Sequence, residues 1–384
     1  MDQALRAELV RLEEAGLRRA MRRWTGAQGP WLELDGRRVL GFSSNNYLDL
    51  AGHPDLRAAA TAALAEDGVG AGSARLVCGN HGEHEALESE LARWHGREAA
   101  LLFNSGFQAN TGIVPALAGP EDLILSDELN HASLIDGCRL SRARVVIYRH
   151  GDAGDAREKL GAARGAARRA LLVTESLFSM DGDLAPLGAL RQVAHEHDAW
   201  MLVDEAHAVG CLGPEGQGAC AAAGVVPDIL VGTLGKAFGS FGAYATGSAA
   251  LRELLLHRAR SFVFTTGLPP AMVAASRAAL RLIAGPDGAT RRTTLGRNAA
   301  RLAETLGSPH STHIQPFILG PEGRTMEAAA ALLAQGIYVS PIRPPTVPRG
   351  TSRLRLSLMA GHTDSEMDRL LAALAMFHVQ HPRD

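Results

Sequence analysis

Seven short apolar runs constrain this chain more than any other feature: Ala99–Phe103, Leu123–Leu125, Val145–Tyr148, Leu171–Thr174, Trp200–Val203, Ile229–Gly232 and Gly242–Thr246. Each of the earlier runs is separated from the next by enough residues for a crossover helix. That rhythm predicts an α/β fold, a mostly parallel seven-stranded sheet flanked by helices. The last two runs lie too close for a crossover, which predicts an antiparallel strand or a local reversal there. Upstream, Leu5, Leu9, Leu12 and Leu17 recur at near-helical spacing, so residues 2 to about 23 read as an amphipathic helix. Trp31–Leu34 and Val39–Leu40, around Asp35-Gly36, read as a hairpin. After Leu280 the character changes. Gly285-Pro286-Asp287-Gly288 reads as a linker, followed by a helix from Thr293 to Leu306 and strands near Ile314–Leu319, Ile337–Val339 and Leu354–Leu358. The expected organisation is an arm over residues 1–43, a large domain over 44–284 and a small α+β domain over 285–384.

Length and charge narrow the function classes. A chain of 384 residues can bury a substantial core in two domains. A net charge of −2 leaves no footprint for nucleic acid, and the pairs Arg18-Arg19 and Arg22-Arg23 fit a solvated helix face. No apolar stretch reaches the roughly 20 residues of a membrane span, and Met1–Arg6 lacks the apolar core of a signal peptide. The four cysteines, Cys78, Cys138, Cys211 and Cys220, have neither metal nor redox spacing. These features predict a soluble cytoplasmic protein with reduced thiols.

The chemistry-bearing residues follow the apolar runs. Lys236 stands among small residues in Val231-Gly232-Thr233-Leu234-Gly235-Lys236, just past one run, and Asp204-Glu205-Ala206-His207 ends the run before it. Neighbouring strand ends in such a sheet open on one crevice. A lysine desolvated there can form a Schiff base, and an aspartate can hold a ring nitrogen protonated, so these residues suit pyridoxal 5'-phosphate. His207 is placed to donate to the cofactor's phenolic oxygen and Thr233 to put a hydroxyl on its phosphate. The strand–turn–helix Phe103-Asn104-Ser105-Gly106-Phe107 offers the backbone amides of Gly106 and Phe107 to the same phosphate. His131 and Ser179 follow two further runs toward the crevice, His131 as a ring to stack on the cofactor. In Arg353-Leu354-Arg355 both arginines share one strand face, and Arg355 suits a substrate carboxylate. Arg343-Pro344-Pro345-Thr346-Val347-Pro348 reads as stiff and extended. Taken singly, each residue also reads as a surface lysine, a helix-capping aspartate or a loop histidine. A phosphate-binding loop is excluded, because G-x-x-x-x-G-K-[ST] needs glycine at Leu230 and a hydroxyl at Ala237. Without such a loop, the helicase reading of Asp204-Glu205-Ala206-His207 fails as well.

Together, Asn130-His131-Ala132-Ser133, Asp204-Glu205-Ala206-His207 and Gly232-Thr233-Leu234-Gly235-Lys236, in that order, resemble the α-oxoamine synthase family of fold-type I pyridoxal-phosphate enzymes. The similarity runs from about Arg18 to the last helix. It implies homodimers with the active site at the subunit interface, and a condensation of an amino acid with an acyl thioester that releases carbon dioxide. The resemblance implies Lys236, Asp204, His207 and His131 as catalytic residues and Gly106, Phe107, Ser179 and Thr233 as further cofactor contacts. It places the partner chain's phosphate contact near Thr265 and Thr266. Arg19 and Thr346 fall at substrate-contact positions, and Asn45 and Arg355 face the amino-acid carboxylate. Ser179–Pro186 and Arg343–Pro348 are similar to the member of the biotin pathway, which joins L-alanine to a pimeloyl thioester carried by CoA or acyl carrier protein. Asp127–His131 reads more like the member that uses glycine and acetyl-CoA.

Overall fold

Apolar runs buried on both faces make the central sheet. The computed structural model describes residues 1–14, 17–165 and 167–379. Its seven strands are β1 (Ala99–Phe103), β2 (Leu123–Asp127), β3 (Arg144–Tyr148), β4 (Ala170–Glu175), β5 (Ala199–Asp204), β6 (Ile229–Thr233) and β7 (Ala243–Gly247). Their order is β1-β7-β6-β5-β4-β2-β3. Strands β2 to β6 pair in parallel, and β7 alone runs antiparallel, inserted between β1 and β6. The short connection after β6 allows only that reversal, as its spacing required.

Side chains alternate across the sheet and build a core on each face. Leu172, Met201, Val203 and Leu230 pack into one cluster, while Leu171, Val173, Leu202, Ile229 and Val231 pack into the other. Helices cover both sides, which is why β4 and β5 read as nearly unbroken apolar runs. The helix Leu187–Glu196 shows the matching pattern, burying Leu187, Leu190, Val193 and Ala194 along one stripe. Strand β3 forms the edge, and its Val145 and Ile147 are exposed.

Two small sheets complete the molecule. Trp31–Leu34 and Arg37–Gly41 form the expected hairpin, extended by Trp24–Thr25 and, in parallel, by Ile337–Tyr338 from the C-terminal region. Ile314–Gly320, Ser352–Ser357 and Ser340–Ile342 form an antiparallel sheet.

Three local expectations are corrected. The first helix spans Asp2–Glu14 and buries none of its residues, so its leucines had no core to extend the helix against; Leu17 to Arg23 is not helical. Gly285–Gly288 is no linker: Pro286 opens the helix Pro286–Leu306, at the position where a missing N–H does no harm. The proline-rich Arg343–Pro348 turns instead of extending, with the Thr346 N–H donating to Arg343 O at 3.1 Å, since the fixed φ of proline serves turns equally well.

Gly182 ties the large sheet to the small one. Its φ is +72°, and a Cβ there would fall 2.0 Å from the carbonyl oxygen of Ile314. Gly182→Ala should therefore destabilise the protein by more than about 1 kcal/mol. Urea unfolding checks this, and an unchanged midpoint would remove Gly182 as a constraint.

Candidate active site

Parallel pairing sends the C-terminal ends of the strands to one edge. β2 leads to His131, β4 to Ser179, β5 ends in Asp204 and leads to His207, and β6 leads to Lys236. β1 ends at Phe103 and feeds the helix Gly106–Leu117, capped by Ser105, whose Oγ accepts the Gln108 N–H at 3.2 Å. Among the described residues, the Gly106 and Phe107 N–H groups have no protein acceptor. A Cβ on Gly106 would meet nothing within 4 Å, so this helix end is open to an anion.

Asp204 is buried and held by neutral donors. Its Oδ2 accepts from Asn110 Nδ2 at 2.7 Å, and its Oδ1 from the Ala206 N–H at 2.8 Å. Asn110 Nδ2 also donates to Ser133 Oγ at 2.9 Å, and Ser133 Oγ lies 2.8 Å from His131 Nδ1. The Ser133 N–H donates to that same Nδ1 at 3.2 Å, which leaves the His131 hydrogen on Nε2. Burial lowers the His131 pKa, Asp204 opposing and Lys236 adding to the shift.

Lys236 forms no ion pair among the described residues. Its Nζ instead lies 2.8 Å from His207 Nε2, and His207 Nδ1 lies 2.7 Å from the hydroxyl of Tyr47. Burial pushes the Lys236 amine down to about 8, against the pull of Asp204 and Glu175. His207 is lowered well below the usual histidine range by burial, then by Lys236 and Arg355. Glu175, level with Asp204 across the β4–β5 pair, is raised by burial and by Asp204, and its Oε1 accepts the His131 N–H at 2.6 Å.

Arg355 is buried beneath the same crevice. Its Nε donates to Ser179 O, and its Nη1 donates to Asn45 Oδ1 at 3.1 Å and to Ser357 Oγ at 2.7 Å. The Thr233 hydroxyl donates to Gly242 O at 3.1 Å and accepts the Gly235 N–H at 3.2 Å, so a phosphate there would compete with Gly242 for its hydrogen. Thr265 and Thr266 lie beside the Asn104–Gly106 turn of their own chain, receiving Asn104 Nδ2 on Thr265 Oγ1 at 3.3 Å and on Thr266 O at 2.9 Å. Arg19 and Thr346 share a separate cleft of about 560 Å³ with Arg18, Arg22 and Arg343. Its wall Ser340–Ile342 pairs directly with the strand that carries Arg355.

Sequence reasoning missed Tyr47, Asn110, Ser133, Glu175 and His150. Asn110 offered one signal, a polar residue on the otherwise apolar buried face of its helix. The buried donor set fits pyridoxal phosphate: a low-pKa amine without a carboxylate partner, a buried aspartate beside it, and unpaired helix N–H groups facing open space.

Comparison with known proteins agrees. The family model for aminotransferase class I and II matches residues 37–374. The 8-amino-7-oxononanoate synthase of Geobacter sulfurreducens is 49% identical, covering 98% of this chain and 98% of its own. The chain belongs to the 8-amino-7-oxononanoate synthase family. Its members are acyltransferases, and the cofactor is pyridoxal 5'-phosphate. Among solved structures, the serine palmitoyltransferase of S. paucimobilis, with a bound PLP–myriocin aldimine, superposes with a TM-score of 0.92 at 30% identity, over 98% of this chain and 97% of that one. The 8-amino-7-oxononanoate synthase of Francisella tularensis gives 0.75 at 27% identity, over 89% and 99%.

His150 fastens two of the loops. Its Nδ1 lies 2.9 Å from Asp127 Oδ1, at the root of the His131 loop, and its Nε2 lies 2.8 Å from Asp183 Oδ2 in the Ser179 loop. Donating to both carboxylates requires the imidazolium. Burial opposes that charge, but the hydrogen bonds to Asp127 and Asp183 outweigh it and raise the pKa to about 10. A raised histidine pKa stabilises the fold fully below about pH 6.5 and progressively less as pH climbs toward the folded value. His150→Gln should cost about 2 kcal/mol at pH 6, and the gap to wild type should narrow between pH 6.5 and about 10. Paired urea titrations check this; a gap that widens with pH would contradict it.

Proposed function

We propose that the chain condenses L-alanine with a pimeloyl thioester, forming 8-amino-7-oxononanoate and releasing carbon dioxide and the free thiol carrier. The observation that carries this reading is Lys236: a low-pKa amine beside His207, within the field of the buried Asp204, in a chain about half identical to synthases of that name. When bound, the cofactor supplies a ring that stabilises negative charge at the Cα of the amino acid.

The chain's own residues then have distinct tasks. Lys236 would hold the cofactor and Asp204 would face its ring nitrogen, the carboxylate being kept in place by Asn110 and the Ala206 amide. Gly106 and Phe107 present N–H groups to the phosphate, with Thr233 and Ser179 alongside. His131 covers the ring, its free nitrogen turned away from Ser133. Arg355 and Asn45 receive the alanine carboxylate, which fixes the Cα–H toward Lys236. As a neutral amine, Lys236 removes that proton. The new carbon–carbon bond forms to the acyl carbonyl as the carbon–sulfur bond breaks and the thiolate leaves; the carboxylate then departs as carbon dioxide, and its electron pair, left at Cα, takes back a proton from the Lys236 ammonium. Arg19 and Thr346 line the approach for the acyl donor.

Lys236→Ala should keep pyridoxal phosphate only non-covalently and lose turnover by at least about 100-fold. A thiol-release assay should rank alanine with the pimeloyl donor above glycine, serine and the acetyl, succinyl and palmitoyl donors. Near-normal activity of the variant would sink the role of Lys236, and glycine with acetyl-CoA as the best pair would overturn the substrates.

A homodimer fits the surface. Val69, Val77 and Phe264 are 82%, 77% and 71% exposed. Their segments are tied together through Ala74 and Thr266, and by the Gly267 N–H on Ser73 O. An apolar patch of this kind calls for a partner, and it would bring Thr265 and Thr266 to the neighbour's site. Analytical ultracentrifugation should find a dimer that Val77→Asp weakens; a fully active monomer would refute it. No helix among the described residues is long and apolar enough to cross a membrane, and the free cysteines suit the cytoplasm.

A further inference from the structure

Asn110 uses both amide hydrogens and leaves its oxygen unpaired. Nδ2 donates to Asp204 Oδ2 at 2.7 Å and to Ser133 Oγ at 2.9 Å, while the buried Oδ1 has no hydrogen-bond partner among the described residues. A buried orphan acceptor is unfavourable and persists only where the rest of its group is held fast. Turning the amide over would set Oδ1 against the Asp204 carboxylate, oxygen facing oxygen. The charge on Asp204 therefore decides which way the amide lies. Close packing keeps the partners within reach. A Cβ on Gly137 would fall 2.7 Å from Asn110 O, so glycine lets the helix Ala132–Ser141, which carries Ser133, lie against Gly106–Leu117, which carries Asn110.

The direction set at Asp204 continues outward. With Asn110 donating to it, Ser133 Oγ still has its own hydrogen to give, and His131 Nδ1 lies 2.8 Å away to accept it. The Ser133 N–H donates to the same nitrogen at 3.2 Å. Two donors on Nδ1 favour the neutral imidazole with its hydrogen on Nε2; an imidazolium would carry an Nδ1–H that meets both of them head-on. Burial also disfavours the charged ring, with Asp204 opposing that shift and Lys236 adding to it. Glu175 accepts the His131 N–H, His150 takes up Asp127 of the same loop, and His207 is a neutral neighbour. None of the hydrogen bonds from Asp204 to His131 involves Lys236. They also tolerate a bound cofactor, because a carboxylate holding two donors has acceptor sites left for a ring nitrogen.

We propose that Asn110 and Ser133 are positioning residues through which the Asp204 carboxylate, besides facing the ring nitrogen, keeps His131 neutral with its hydrogen on Nε2. One buried charge then sets both residues that meet the cofactor ring. This rests on the reading of Asp204 and His131 as those two residues.

The test is an NMR titration of protein labelled with 15N in its histidine rings, with and without pyridoxal phosphate. It reads both the tautomer and the pKa of His131, whose signal is the one missing from His131→Asn. Ser133→Ala removes the hydroxyl donor and should raise the His131 pKa by about one pH unit in both forms of the protein. Ser133→Thr, which keeps the hydroxyl, should return it. Asn110→Ala should raise it as well, since nothing then turns the Ser133 hydrogen toward the histidine. Because the two act in series, the double variant should shift no further than Ser133→Ala alone. In turnover, the acid limb of the kcat/KM profile should move to higher pH with the His131 pKa in Ser133→Ala; a purely structural role would lower activity alike at every pH. The proposal fails if Ser133→Ala leaves the His131 pKa unchanged, or if the Asn110→Ala and Ser133→Ala shifts simply add. Should Asn110→Ala not fold, Asn110→Ser, too short to reach both partners, takes its place. The titration needs no amino acid or acyl donor, so a wrong substrate assignment would show in the thiol-release assay and leave this result standing.

Discussion

The buried carboxylate of Asp204 is the constraint around which the site is arranged. A charge taken from water at the end of a central strand must be met by hydrogen bonds or by a cation. Among the described residues no arginine pairs with it. An asparagine from the helix after β1 and a backbone amide from its own loop hold the two oxygens. Those neutral donors fix its position and leave its charge to act on Lys236 and on whatever ring lies against it. The same asparagine passes the restraint through Ser133 to His131, so three elements are registered on one carboxylate.

A second set of contacts controls the loops that strand geometry alone leaves free. His150 joins the roots of the His131 and Ser179 loops through two aspartates. Arg353 reaches Asp181, Arg355 reaches Ser179, and Thr312 donates to Gly182 O at 2.6 Å. The small sheet is therefore fastened to the loops beside the cofactor site. Tyr47 extends that connection to His207 and Lys236 in two hydrogen bonds.

Most of the fold was legible because burial on both faces leaves a plain mark. β4 and β5 are apolar at nearly every position, and the short link before β7 permits only a reversal. The first helix was overdrawn because leucine spacing reports what a face could bury, and the described helix buries none of its residues. The Gly285–Gly288 turn was misread because Pro and Gly signal loops and helix starts alike. Among site residues, Lys236, Asp204, His207 and His131 stood out as titratable groups at or just past strand ends. Glu175 and His150 carried the same mark, at or just past the ends of β4 and β3, and went unread; Tyr47 lies on no strand, and its link to His207 spans 160 positions.

The sequence by itself determined the sheet, the strand ends that carry the chemistry and the cofactor that suits them, because each follows from local pattern and short-range order. Only the tertiary structure decided which neutral donors hold Asp204, that Lys236 faces a histidine rather than a carboxylate, and that Arg355 meets it through Tyr47. Those are contacts across 94, 29 and 308 positions of chain. Periodicity does not encode such pairings; they exist only once the parallel strands have brought their ends to one edge.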